Sequence, residues 1–297
     1  MRLINCLQYR LEEFFGSHIP PYVILSHTWE DEEVTFADFT RDQAGVRQKR
    51  GFQKLAYTCR QAQIDGYQWA WVDTCCIDKS SSAELSEAIN SMFAWYKSAE
   101  ICYVFLTDVV QDELQLTFPR SRWFTRGWTL QELLAPHRLV FYDQYWNRLG
   151  TKKEYAKWIA EITTIDTKAL VFAPVRGNQR SFKPKRLLSS YCIARRMSWA
   201  SQRQTTRLED MSYSLLGLFD ISMPLLYGEG ARAFLRLHEE IIKRVDDDSI
   251  LAWNLQMPTS AQGLLHSQAC TNFSYKRTVL EEMTCTPNTV VMCKLTY

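Results

Sequence analysis

Four short stretches, residues 22–26 (YVILS), 69–74 (WAWVDT), 101–106 (ICYVFL) and 138–142 (RLVFY), are almost unbroken in apolar character. A strand with one wet face alternates polar and apolar side chains, so a run without alternation needs cover on both faces. Helical patterns lie between these runs. Phe52, Leu55, Ala56, Cys59 and Ala62 recur at helical spacing, and Gly66 closes that segment. Leu85, Ile89, Met92, Phe93 and Tyr96 form one stripe behind the capping signal Ser81-x-x-Glu84. A short helix is predicted over 128–134. Another follows Thr151-x-x-Glu154, with Tyr155, Trp158, Ile159 and Ile162 facing inward. Together these predict an α/β fold: a parallel sheet with helices on both faces.

Beyond about residue 163 the pattern changes. Residues 175–185 are polar with Pro, Gly and Asn, which predicts a loop. Three helical segments follow, at about 184–200, 207–219 and 229–245. The last two are separated by Met223-Pro224 and the turn Tyr227-Gly228-Glu229-Gly230. Phe234, His238, Ile241 and Val245 mark the inward face of the last segment, and weak strand signals stand at 250–253 and 289–295. The reading is therefore an α/β domain over 1–165 and a mainly helical extension over 166–297, docked on it and not separately catalytic.

Composition narrows the function. With 35 basic and 33 acidic residues the formal charge is +2, too balanced for an electrostatic DNA footprint. The densest basic cluster, 176–186, reads as a solvated loop, so DNA is not an expected partner. The nine cysteines follow no regular spacing, contain no CxxC, and fall partly inside apolar runs. That predicts free, buried thiols in a reducing compartment and no metal site. Residues 1–15 lack an apolar stretch fit for a signal peptide, and no run reaches the length of a membrane span. A cytoplasmic protein is expected. Aromatic residues reach 13%, ten of them Trp, enough to fill a core and still line a pocket.

In an open parallel sheet, ligands bind outside the carboxyl ends of the strands. Three segments follow such ends: 26–31 (SHTWED), 73–78 (DTCCID), and 121–132 (SRWFTRGWTLQE) after Thr107-Asp108. They bring hydroxyls, an imidazole, carboxylates, guanidinium groups and the indoles of Trp29, Trp123 and Trp128, a set suited to a polar ligand with a flat ring. Each also has an ordinary reading. His27 suits a hydrogen-bonded structural residue, Asp73 a cap, Cys75 and Cys76 inert burial, and Glu132 alone a solvated helix carboxylate. Gly127 is isolated, and neither GxGxxG nor GKS/T occurs. The residues by themselves predict a binding rim, not a reaction.

Longer matches carry more. The stretches 22–29 (YVILSHTW), 71–78 (WVDTCCID) and 121–133 (SRWFTRGWTLQEL) closely resemble the fungal heterokaryon-incompatibility (HET) domain over roughly 20–165. The run 197–240, with 223–230 (MPLLYGEG), is similar to an extension found in many such proteins. The resemblance implies a filamentous fungus and a part in nonself recognition and programmed cell death. The HET domain in turn resembles the Toll/interleukin-1 receptor (TIR) domain, which has a flavodoxin-like sheet and in many members cleaves NAD at the nicotinamide–ribose bond. Plant-type TIR domains place their catalytic Glu in a Trp-Cys-Leu-x-Glu-Leu helix. Here Trp128-Thr129-Leu130-Gln131-Glu132-Leu133 has that spelling, with Thr129 in place of Cys. The family's loop after the second strand is not recognisable by spelling.

The resemblance implies Glu132 as the catalytic residue, and Ser26, His27, Trp29, Asp73 and Trp128 as substrate contacts. NAD enters as substrate, with no cofactor, and assembly into homo-oligomers on activation is expected. One carboxylate suits this chemistry. Nicotinamide leaves as a neutral molecule from a cationic ring, so the second carboxyl that protonates a sugar leaving group is not required. The competing reading is a non-enzymatic death-signalling module working by homotypic assembly; a third is an enzyme acting on another nucleotide or nucleic acid.

Overall fold

In the computed structural model, residues 1–41, 43–171, 187–251, 282–285 and 288–291 are described. Seven strands form one sheet: β1 (Arg2–Asn5), β2 (Arg10–Glu13), β3 (Tyr22–His27), β4 (Trp69–Trp71), β5 (Ile101–Phe105), β6 (Leu139–Tyr142) and β7 (Arg148–Thr151). Their spatial order is β2-β1-β4-β3-β5-β6-β7. The four predicted strands are the parallel centre, β4-β3-β5-β6, with Val23 opposite Ile101 and Cys102 opposite Leu139. Every residue of β3 and β5 is buried, as their unbroken apolar runs require.

The principal helices are α1 (Phe52–Ile64), α2 (Ser82–Ser98), α3 (Thr129–Leu134), α4 (Ala156–Thr163), α5 (Ile193–Ser198) and α6 (Arg232–Arg244). The chain runs from β3 through α1 to β4 on one side, then through α2 back past β3 to β5 on the other. Right-handed crossovers in opposite directions place α1 and α2 on opposite faces of the sheet. The order reverses between β3 and β5, so the topological switch point of a doubly wound, flavodoxin-like sheet lies there, where such folds characteristically bind ligands. At the end of α1, Gly66 at φ +85° turns the chain, and the Tyr67 N–H reaches the Ala62 carbonyl at 2.8 Å.

Three strands escaped the sequence. The hairpin β1–β2 pairs antiparallel and β1 joins β4; β7 pairs antiparallel with β6. Each has four residues, too few to show a period, and β2 (RLEE) is charged as an edge strand should be. The second predicted strand ends early, because Asp73–Cys76 form a helical turn instead of extending it. The Thr151–Glu154 box closes as expected: Thr151 N–H donates to the Glu154 carboxylate (2.6 Å) and Glu154 N–H to the Thr151 hydroxyl (3.2 Å). The Ser81 box closes by half. Glu84 N–H reaches the Ser81 hydroxyl at 3.3 Å, but the Glu84 carboxylate takes the Asp78 N–H and pairs with Arg2 of β1.

Within the extension the third expected helical stretch is continuous as α6, whereas the first two break into shorter pieces, including turns at Asp210–Tyr213 and Leu216–Phe219. The buried face of α6 is Ala233, Phe234, Leu237 and Ile241; Val245, expected inside, is 38% exposed because the helix has already ended. The extension packs closely on the sheet domain. Gly217 lies so near Phe93 of α2 that any Cβ there would collide with the ring. Asn90 of α2 accepts from Ser222 (2.9 Å) and the Met223 N–H (3.1 Å), and Arg195 donates to the Thr164 carbonyl at 3.3 Å. The predicted loop at 175–185, the basic cluster at 176–186 and part of the strand signals at 250–253 and 289–295 lie outside the described residues. Glu282–Cys285 and Asn288–Val291 pair as an antiparallel hairpin. Among the described residues no helix is long and apolar enough to cross a membrane, and none of their His, Cys, Asp and Glu side chains group as metal ligands. Cys6, Cys59, Cys75, Cys76, Cys102 and Cys192 are free and buried.

Candidate functional site

Side chains alternate along a strand, so Ser26 and His27, adjacent at the end of β3, face opposite sides of the sheet. The anticipated rim is accordingly built as two clusters. On the face covered by α2, Ser26 is fully buried and its hydroxyl donates a short hydrogen bond to the Glu132 carboxyl of α3. The Trp123 indole N–H donates to the same hydroxyl at 2.8 Å. Tyr96 of α2 closes this cluster, its phenol bonded to the Leu25 carbonyl (3.0 Å) and within reach of Glu132.

Glu132 is not the solvated carboxylate that its place on a short helix suggests. It is 7% exposed, since α3 is buried along its whole length. Burial is the largest influence on its carboxyl and pushes its pKa to about 8; the Ser26 bond and the charges of Arg126 and Arg203 pull the other way. Exchange of an exposed Glu would leave stability little changed at any pH; exchange of this one has an effect that depends on pH. Lys152 caps the end of α3, donating to the Leu133 (2.9 Å) and Pro136 (2.7 Å) carbonyls from a buried position that draws its pKa down to about 8.

On the opposite face, His27 lies 3.8 Å from Asp73 and 3.9 Å from Glu33, beyond hydrogen-bond range, with both ring nitrogens buried and unbonded. Burial, then the charges of Lys54, Lys79 and Arg126, hold its pKa well below the usual imidazole range, so it is neutral at pH 7. Lys54 of α1 pairs with Glu33 at 2.6 Å, both nearly buried. Trp29, 42% exposed, donates its indole N–H to Asp73 at 2.8 Å, and the Lys79 ammonium sits 3.4 Å above its ring. The two clusters are linked electrostatically, Asp73 being among the charges that raise the Glu132 pKa.

Ser26 and Glu132 are thus in direct contact on one side of β3, and His27, Asp73 and Trp29 form a separate cluster on the other. Trp128 is turned elsewhere: its indole bonds to Asp210 of the extension. Trp123, considered for a ligand platform, is fully buried and serves Ser26 instead.

Residues 22–119 match the family model of the heterokaryon incompatibility protein (HET). Vegetative incompatibility protein HET-E-1 of Podospora anserina is 46% identical over 245 residues, 79% of this chain. The chain belongs to the HET-domain family. It spans 17% of the length of that relative. Residues 232–291 match a second model, a domain of unknown function (DUF8212), whose first residue is the first of α6. No solved structure matches.

The HET match contains Ser26, His27, Trp29 and Asp73 but stops before Glu132. Sequence reasoning missed Glu33, Lys54, Tyr96, Lys79 and Arg203. Lys54 could have been suspected, because it stands on the apolar side of α1 next to Leu55 and one turn before Thr58 and Cys59, all buried. Arg203 carries no such signal, lying in a polar stretch (SQRQ) between helices.

Proposed function

We propose that this chain is the HET-domain part of a fungal incompatibility protein acting in nonself recognition and cell death, and that its chemistry is cleavage of the nicotinamide–ribose bond of NAD at Glu132. The observation that carries the reading is the buried Glu132 carboxyl, bonded to Ser26 at the strand end beside the sheet's topological switch point, where such folds bind ligands. Expensive burial of an ionisable group with a displaced pKa is characteristic of functional sites. The TIR-type resemblance names the same residue independently.

In this mechanism the ionised carboxylate stabilises the oxocarbenium-like ribose as neutral nicotinamide departs, and Ser26 and Trp123 hold the carboxylate in place. Trp29, in the second cluster that Asp73 couples to Glu132, offers an exposed aromatic face to the substrate. With the carboxyl at about 8, the active, ionised form is the minority at pH 7. Cleavage should rise close to tenfold per pH unit below that value and level off above it.

The deciding experiment is release of nicotinamide from NAD by the purified chain, at protein concentrations high enough to include assembled states. Glu132→Gln should lower the rate by about a hundredfold or more. In a fungal host, wild type and Glu132→Gln at equal levels should differ in killing. Equal killing with cellular NAD unchanged in both leaves the assembly-module reading and removes the enzymatic one.

A further inference from the structure

The segment carrying Glu132 is gripped from outside the sheet domain. Between Arg126 and Glu132 the chain is strapped by residues 203–210 of the extension. Thr125 O accepts from the Gln204 N–H (2.6 Å), and the Gly127 N–H donates back to the Gln204 carbonyl (2.8 Å), a short parallel bridge. Arg203, 4% exposed, sends one guanidinium nitrogen to both the Arg126 carbonyl and the Thr129 hydroxyl, each at 2.8 Å. That hydroxyl in turn donates to the Trp123 carbonyl at 2.5 Å, and the Trp123 indole holds Ser26. Trp128 is fastened by Asp210. Gly127 is required for the fit, since a Cβ there would stand 2.4 Å from the Thr205 methyl, whose side chain is fixed by a 2.5 Å bond to the Arg207 carbonyl.

We propose that Arg203 is a positioning residue for Glu132, so that the HET-domain site is completed by the extension. The inference rests on the reading of Glu132 as the reactive carboxylate. Burying a guanidinium is costly, and doing so against two oxygens of the segment that presents Glu132 fixes both its place and its electrostatic surroundings. The groups facing Glu132 come from every neighbouring element: Ser26 of β3, Tyr96 of α2, Cys102 of β5, Asp73 after β4, Arg126 before α3, and Arg203. Of these, only Arg126 and Arg203 are cationic, and only Arg203 comes from the extension.

The test is the titration of the Glu132 carboxyl in the full chain, followed by carbon-13 NMR with labelled Glu and assigned by Glu132→Gln. In Arg203→Met the midpoint should rise by about one pH unit, a roughly tenfold gain in proton affinity, while Arg203→Lys keeps it close to wild type. Gly127→Ala drives the strap away without altering any charge; it should shift the midpoint, and adding Thr205→Ala, which removes the colliding methyl, should bring it back. An unmoved midpoint in folded Arg203→Met overturns the proposal. Should that variant not fold, the Gly127→Ala pair decides, and an unmoved midpoint there overturns it equally. Nicotinamide release is measured alongside. A shifted midpoint with no cleavage by any form retains the positioning role and removes the NAD reading; cleavage that depends on Glu132 with an unmoved midpoint does the reverse.

Discussion

The two sides of β3 treat buried charge differently. On the α1 face, Glu33 and Lys54 are buried together at 2.6 Å, and the ion pair offsets part of the burial that still pushes the Glu33 carboxyl up. On the α2 face, Glu132 is buried against a serine, an indole and a phenol, with no direct ion pair, and its pKa is driven to about 8. A paired charge gives a rigid wall. An unpaired one retains a free-energy cost that chemistry can use, which suggests support on one side and reactivity on the other.

The largest effect expected from this contrast is at Lys54. Lys54→Met strands the Glu33 carboxylate in the interior and should cost about 3–5 kcal/mol in urea unfolding; adding Glu33→Gln should return most of it. A loss below about 1 kcal/mol breaks the contrast, because Glu33 would then have found other compensation.

Next is the pH dependence of stability. The folded pKa of Glu132, about 8, lies above the ordinary carboxyl value of 4.5, so the folded chain holds this proton more tightly than the unfolded one. Its contribution is whole below about 4.5 and is lost as pH climbs towards 8, at about 1.4 kcal/mol per pH unit. Glu132→Gln cannot ionise, so its stability should overtake that of wild type progressively between pH 5 and pH 8. Parallel curves for the two proteins would mean that the carboxyl titrates normally.

The smallest effect belongs to Trp29. Its ring is exposed and already occupied by Lys79, so Trp29→Ala should raise KM for NAD by only about three- to tenfold with kcat kept, the pattern of lost uniform binding. A collapse of kcat instead would place Trp29 with the chemistry and move the reactive centre to the α1 face.

Much of this architecture was legible in the sequence because apolar runs report burial directly. The parallel centre of the sheet followed from four such runs, and the helix presenting Glu132 from its spelling. The flanking strands were not legible: four residues show no period, and pairing with a distant partner leaves no local mark. Burial of Glu132 was also hidden, since a carboxylate on a short helix has the same appearance in sequence whether solvent or protein lies above it. Arg203 was least accessible of all. Its importance comes from the Arg126 and Thr129 oxygens more than seventy positions away.

The sheet's flanks bear on how the family unit can be handled. The span 22–119 includes β3, β4 and β5 but none of β1, β2, β6 and β7. Cut to that span, the chain would bare the side of β4 that β1 covers and residues 102–105 of β5 that β6 covers. The β5 edge, ICYVF, has no charge or proline to discourage pairing, and it is the kind of template on which extended chains stack. Such a fragment should collect as aggregates through β5, whereas a charged residue at Cys102 or Val104 would only exchange that fate for an unfolded core, since both side chains are fully buried.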